Sequence, residues 1–109
     1  MEPIDLNALA AEHLAAAKAS SNGRSSTKIV GDHTALLRMN LIALAEGATL
    51  QDHESPGEAT LTVIEGSIEF HAASESVTLS VGQMLVVPPL RHGLSALTDA
   101  VVVLTVAKD

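Results

Sequence analysis

From Thr27 onward, apolar and polar residues alternate in short runs. Val77, Leu79 and Val81 are set against Ser76, Thr78 and Ser80. Ile68 and Phe70 alternate with Ser67, Glu69 and His71, and Met39, Leu41 and Ala43 do so less regularly. A period of two residues puts one face of a strand in a core and the other in water. "AVVVLTVA" at residues 100–107 is apolar almost throughout, as a strand covered on both faces would be. Gly, Pro, Asp and Ser separate these runs every 8 to 12 residues, the spacing of a sandwich or a barrel. The first residues follow another period. Leu6, Leu9, Ala10, His13, Leu14 and Ala17 fall on one face of a helix running from about Leu6 to Ala19, with Asp5 as its cap. A helix this short is marginal alone and must dock on something. "SSNGRSS", residues 20–26, ends it in turn residues. The predicted organisation is therefore a helix and Ser/Gly-rich link over 1–26, and a β-domain over 27–109.

Composition narrows what such a domain does. The 109 residues suffice for one domain with one core. Phe70 is the single aromatic residue, so the core is built from Val, Leu, Ile, Met and Ala. A formal net charge of −7 repels a phosphate backbone, and no aromatic platform exists for stacking bases, so nucleic acid is not an expected partner. There are no cysteines, which excludes disulfides and thiolate chemistry. The opening "MEPIDLNALAAEH" lacks the basic start and apolar run of a signal peptide, and no stretch has the roughly 20 apolar residues of a membrane span. A cytoplasmic location without membrane association is expected.

The candidate chemistry lies in two stretches. In the first, Gly47 is followed after five residues by His53, then by Ser55, Ala59 and Gly66. In the second, Gly82, "QMLVV" and Pro88 lead through "PLRH" to His92 and on to Ala96. Together these resemble the two motifs of the cupin superfamily, G-x5-H-x-H-x3-4-E-x6-G and G-x5-P-x-G-x2-H-x3-N. "PGEATLTVIEG" and "VVPPLRHGL" are the telling phrases, and the likeness, over about residues 27–107, is to small single-domain bacterial cupins of unassigned function. The resemblance implies an all-β, single-domain jelly-roll barrel of antiparallel strands with the helix outside it. It also implies that His53 and His92 point from facing strands into the barrel mouth. Gly66 and Gly82 suit positive φ at strand ends, and Pro88-Pro89 stops a strand.

A full cupin site has three histidines and a glutamate, suited to Zn, Fe, Mn or Ni. Here Ser55 replaces the second histidine and Ala59 the glutamate, while Glu58 lies one position early, turned outward by strand parity. Two histidines completed by water hold a divalent metal weakly, with affinity falling below about pH 6.5 because imidazole must be neutral to bind. The expected site is a mostly apolar pocket lined by His53, Ser55, Ala59, Leu61, His92 and Leu94, taking a small neutral or weakly anionic organic ligand. No catalytic residue is assigned. The remaining histidines have plainer roles: His13 in packing, His33 in a loop and His71 in solvent. Arg91 pairs with a surface carboxylate.

Three readings follow: a small-molecule-binding cupin with a reduced or vacant metal site, a metal-dependent enzyme of dioxygenase or isomerase type, and a structural protein whose interior is only packing. The missing ligands favour the first over the second. The retained histidines favour either over the third, because buried polar groups without partners cost about 1–3 kcal/mol each. A homodimer is also expected, because an apolar strand set with few aromatics leaves a helix face or strand edge to cover.

Overall fold

The computed structural model describes residues 1–107. One helix, α1 (Leu6–Ala19), precedes nine strands: β1 (Arg24–Val30), β2 (Leu37–Leu44), β3 (Thr49–His53), β4 (Glu58–Glu65), β5 (Ser67–Ala72), β6 (Glu75–Ser80), β7 (Met84–Val86), β8 (His92–Ala96) and β9 (Ala100–Ala107). They form two antiparallel sheets. One has the order β1-β2-β9-β4-β7 and the other β3-β8-β5-β6.

The helix has the limits its alanine-rich spacing predicts. The Asp5 carboxylate accepts the Ala8 backbone N–H at 3.0 Å, which satisfies one of the free donors at the helix start. Ala10 and Ala17 are buried, and Leu9 and Leu14 pack with them against Leu41, Ala43 and Val101 on the outer face of the five-stranded sheet. This helix face is covered by its own chain. The apolar surface exposed elsewhere includes Met84 and Val86 on the edge strand β7. His13 joins the same docking through a 2.8 Å hydrogen bond between its Nδ1 and the Ser25 hydroxyl. The first strand starts at Arg24, inside the segment read as a link, because the Gly23 turn brings the chain into register with β2 there.

The sheets face each other across a core that includes Leu44, Val63, Ile68, Leu79 and Val102. β9 is the central strand, paired with β2 on one side and β4 on the other. Its even-numbered residues Ala100, Val102 and Val106 join the inter-sheet core, and Val101 joins the helix-covered one. β2 is divided likewise, with Leu41 and Ala43 toward the helix and Leu44 toward the opposite sheet. Burial on both faces explains why alternation is faint in these two strands.

Gly66 carries the chain from β4 in one sheet to β5 in the other. It has φ +71°, and an added Cβ would lie 2.0 Å from the Asp99 carbonyl oxygen. Gly82 has a similar φ of +84° and open space around it. Gly66→Ala is expected to cost about 3 kcal/mol or more, and Gly82→Ala only the backbone strain of about 1–2 kcal/mol. Urea unfolding of the two variants checks this, and equal losses would contradict it.

Asp99 links three elements. It accepts the Glu46 backbone N–H at 2.8 Å and pairs with Lys18 on the helix at 3.3 Å. The Glu46 hydrogen bond, then the Lys18 contact, hold its pKa below the ordinary 3.8. A depressed carboxylate stabilises the fold above the unfolded-state pKa and loses that contribution as pH falls through the folded one. Asp99→Asn should therefore lower the melting temperature by a constant amount above about pH 4. The difference should shrink below that pH, as measured by thermal unfolding across an acid series.

Candidate functional site

A cavity of about 80 Å³ lies between the sheets. Ile42, Leu61 and Leu104 line it from one sheet, and Leu50, His53, Phe70, His92 and Leu94 from the other, with Val87 beside them. Two imidazoles are the polar groups in an otherwise apolar wall.

Local register brings these two rings together. β3 and β8 pair with Leu50 opposite Leu94 and His53 opposite His92, so β3 uses three steps where β8 uses two. The additional residue is a β-bulge at Gln51-Asp52. Without it, Leu50 and His53, three apart, would point to opposite sides of the sheet. With it, both face the cavity. His53 and His92 thus belong to adjacent strands of one sheet, a correction to the placement on facing strands. The physical reason is that the first motif is split between sheets, β3 in one and β4 in the other.

The ring centroids lie 4.5 Å apart at an interplanar angle of 64°. His92 is buried and also stacks on Phe70, centroids 5.3 Å apart, whereas His53 is open to solvent. Nδ1 of His53 lies 3.0 Å from the Gln51 carbonyl oxygen, and Nδ1 of His92 lies 2.8 Å from that of Leu90. A carbonyl only accepts, so each Nδ1 carries the proton and donates it. In the neutral rings both Nε2 atoms then keep a free lone pair, the state needed to accept a ligand hydrogen bond or to bind a metal.

Leu61 and Leu94 line this cavity as the sequence predicts. Ser55 and Ala59 do not. They line a separate, shallower recess with Glu54, Glu58 and Pro89. Residues 54–57 form the crossover between the sheets, so Ser55 has left the phase of His53, and its hydroxyl is 3.3 Å from the Gly57 carbonyl oxygen. Ala59, the second residue of β4, is buried in the core two residues before Leu61. Among the described residues no group of three or more His, Cys, Asp or Glu side chains is arranged to hold a metal ion. The two imidazoles provide one ligand fewer than the three protein ligands usual for a retained catalytic zinc, so the residues present do not fit such a site.

The outer face of the same sheet holds the bulge in place, and alternation alone gave no sign of this. His71 is turned outward, but it is not simply solvated: its Nε2 meets the Asp52 carboxylate at 2.5 Å across the intervening β8. Gly93 makes that approach feasible. An added Cβ would lie 2.6 Å from Asp52 Oδ1, 2.7 Å from the Leu50 carbonyl oxygen and 2.8 Å from His71 Nε2. Arg91 closes the other side, donating to the Asp52 carbonyl at 2.9 Å and reaching the Glu54 carboxylate at 3.4 Å. His33 lies exposed in the loop before β2, away from the cavity.

A sequence profile described as Cupin domain matches residues 40–107, more than half of the chain. No curated protein matches. Among solved structures, a conserved Streptococcus pyogenes protein of unknown function is 26% identical at a TM-score of 0.72, covering 83% of this chain and 78% of its own. An RmlC-like cupin from Desulfovibrio desulfuricans is 25% identical at 0.68, covering 77% and 81%. A cupin superfamily protein from Desulfitobacterium hafniense shares the fold over 99% of this chain and 92% of its own, at 0.79 and 16% identity.

Gly93→Ala is expected to part Asp52 from His71 and slip the bulge. It should cost about 2 kcal/mol or more and abolish the nuclear Overhauser contact between the His53 and His92 rings. His71→Ala, which removes only an exposed pair, should cost less than about 1 kcal/mol. An undisturbed ring contact in Gly93→Ala would show that the bulge does not depend on this face.

Proposed function

The chain belongs to the cupin domain family, and we propose that it binds a small organic molecule in the mouth of a jelly-roll barrel whose metal site is reduced. The observation that carries this reading is the His53–His92 pair, with both Nδ1 atoms committed to backbone carbonyls and both Nε2 atoms free at an apolar cavity. The apolar wall takes an uncharged ligand body, and the two Nε2 lone pairs accept from whatever donor that body carries. The volume of about 80 Å³ equals roughly two or three waters. The buried part of the ligand is therefore only a few heavy atoms.

A divalent ion held by the two imidazoles alone would complete its shell with water and exchange with the medium. A metal-dependent enzyme of dioxygenase or isomerase type needs more ligands than these residues supply. That is why binding is preferred to catalysis, and Zn, Fe, Mn or Ni enters only as a loosely held ion.

Small amides and acids of about five heavy atoms, titrated into methyl-labelled protein, test the reading. Binding should move the Leu61 and Leu94 methyl signals and both histidine ring signals, and Leu61→Phe, which fills the cavity, should remove it. Zinc should shift the same ring signals and be lost on dialysis. Unmoved cavity signals with every probe would overturn ligand binding. Stoichiometric metal surviving dialysis would favour the enzyme.

A further inference from the structure

The edge strand β1 places a cation in a recess that shares walls with this cavity. Arg24 and Ser26 pair with Leu44 and Ile42, β2 residues that face the opposite sheet. Ser25 has the other phase and bonds His13 on the helix. Alternation therefore turns Arg24 toward the space between the sheets, on a strand with no neighbour on its outer side. Arg24 is half-buried. Among the described residues the ion pairs involve Lys18, His71 and Arg91, and the Arg24 guanidinium has no ion-pair or hydrogen-bond partner. In a chain with 13 acidic residues against 6 Lys and Arg, a half-buried guanidinium without a carboxylate is a site open to an external anion.

Its surroundings lead inward. Arg24 and Asn22 line two adjoining open recesses, of about 660 and 300 Å³. Leu50 is a wall of both and of the inner cavity as well, and His53 is common to the larger recess and the inner cavity. Leu50 and His53 thus border both the recess that holds Arg24 and the inner cavity, the recess being the more polar of the two.

We propose that Arg24 anchors the carboxylate of a short-chain organic acid, whose apolar body passes Leu50 to reach His53 and His92. The planar guanidinium fork matches a carboxylate with two parallel hydrogen bonds. A phosphate dianion would bring twice the charge into a chain of net charge −7 with one arginine to meet it. The inner cavity limits the body to about three or four heavy atoms, from the size of a water. This proposal rests on the inner cavity being a ligand site, and it adds the class of ligand and the residue that selects it.

Butyrate, butyramide and inorganic phosphate, each titrated into the full chain and followed by amide and methyl resonances, test it. Butyrate is expected to move Arg24 and Thr49 in the outer recess together with the Leu61 and Leu94 methyls inside, and to bind about tenfold or more tightly than the other two. Arg24→Gln should bring butyrate down to the affinity of butyramide, and Arg24→Lys should keep part of the difference. An unchanged urea midpoint in both variants excludes unfolding as the cause. If Arg24→Gln binds butyrate as well as the wild type while the inner methyls still respond, the anchor is wrong and the cavity reading stands. If butyrate moves only the outer signals, or none, the spanning ligand is wrong. If butyramide also leaves the inner methyls still, the cavity reading falls with it. Phosphate binding as tightly as butyrate would overturn the carboxylate class.

Discussion

Burial of β9 on both faces is the constraint on which the molecule depends. Ala100, Val101 and Val102 are fully inaccessible, and Val103 and Val106 nearly so. A strand of this kind cannot be solvated and must be sandwiched. It pairs with β2 and β4 at its edges, faces the second sheet with one side and reaches the helix-covered core with the other. The helix, marginal alone, exists because Val101, Leu41 and Ala43 offer it a surface.

The site is attached to this frame by register. β4 presents Leu61 and β2 presents Ile42 from the frame side, while β3 and β8 present the imidazoles from the other. One additional residue in β3 decides whether His53 faces the cavity, and that residue is held from the far face by Asp52, His71 and Arg91. The two faces of the thin sheet are thus coupled. Groups that never touch the cavity fix the geometry of the ring that does. The arrangement sets a buried His92 beside an exposed His53 at the sheet edge.

Keeping two ligand-type histidines while placing serine and alanine at the other motif positions changes the chemistry and not the fold. The strand pairing needs backbone hydrogen bonds and apolar side chains, and neither Ser55 nor Ala59 takes these away. What changes is charge. Among the described residues the buried polar or charged side chain is that of His92, and no carboxylate is buried.

Local chemistry made much of the chain legible. Asp5 and the alanine spacing gave the helix its limits, and alternation located β5 and β6 because each has one wet face. The motif spacing brought His53, His92, Leu61 and Leu94 to one cavity. Other features depend on contacts distant in sequence. A bulge is defined by the partner strand, so the phase of His53 relative to Leu50 cannot be read from residues 50–53 alone. The crossover at 54–57 removes Ser55 from the pocket because it leads out of the His53 sheet, while Ala59, in phase with Leu61 on β4, packs in the core beside that crossover. Asp52 and His71 are 19 residues apart and meet over Gly93, and Arg24 gains its inward phase only from pairing with β2. Sequence determined which segments are strands and which side chains can do chemistry, because backbone preference and side-chain polarity are local. Tertiary structure decided which of them share a space, because register and sheet membership are set by partners far along the chain.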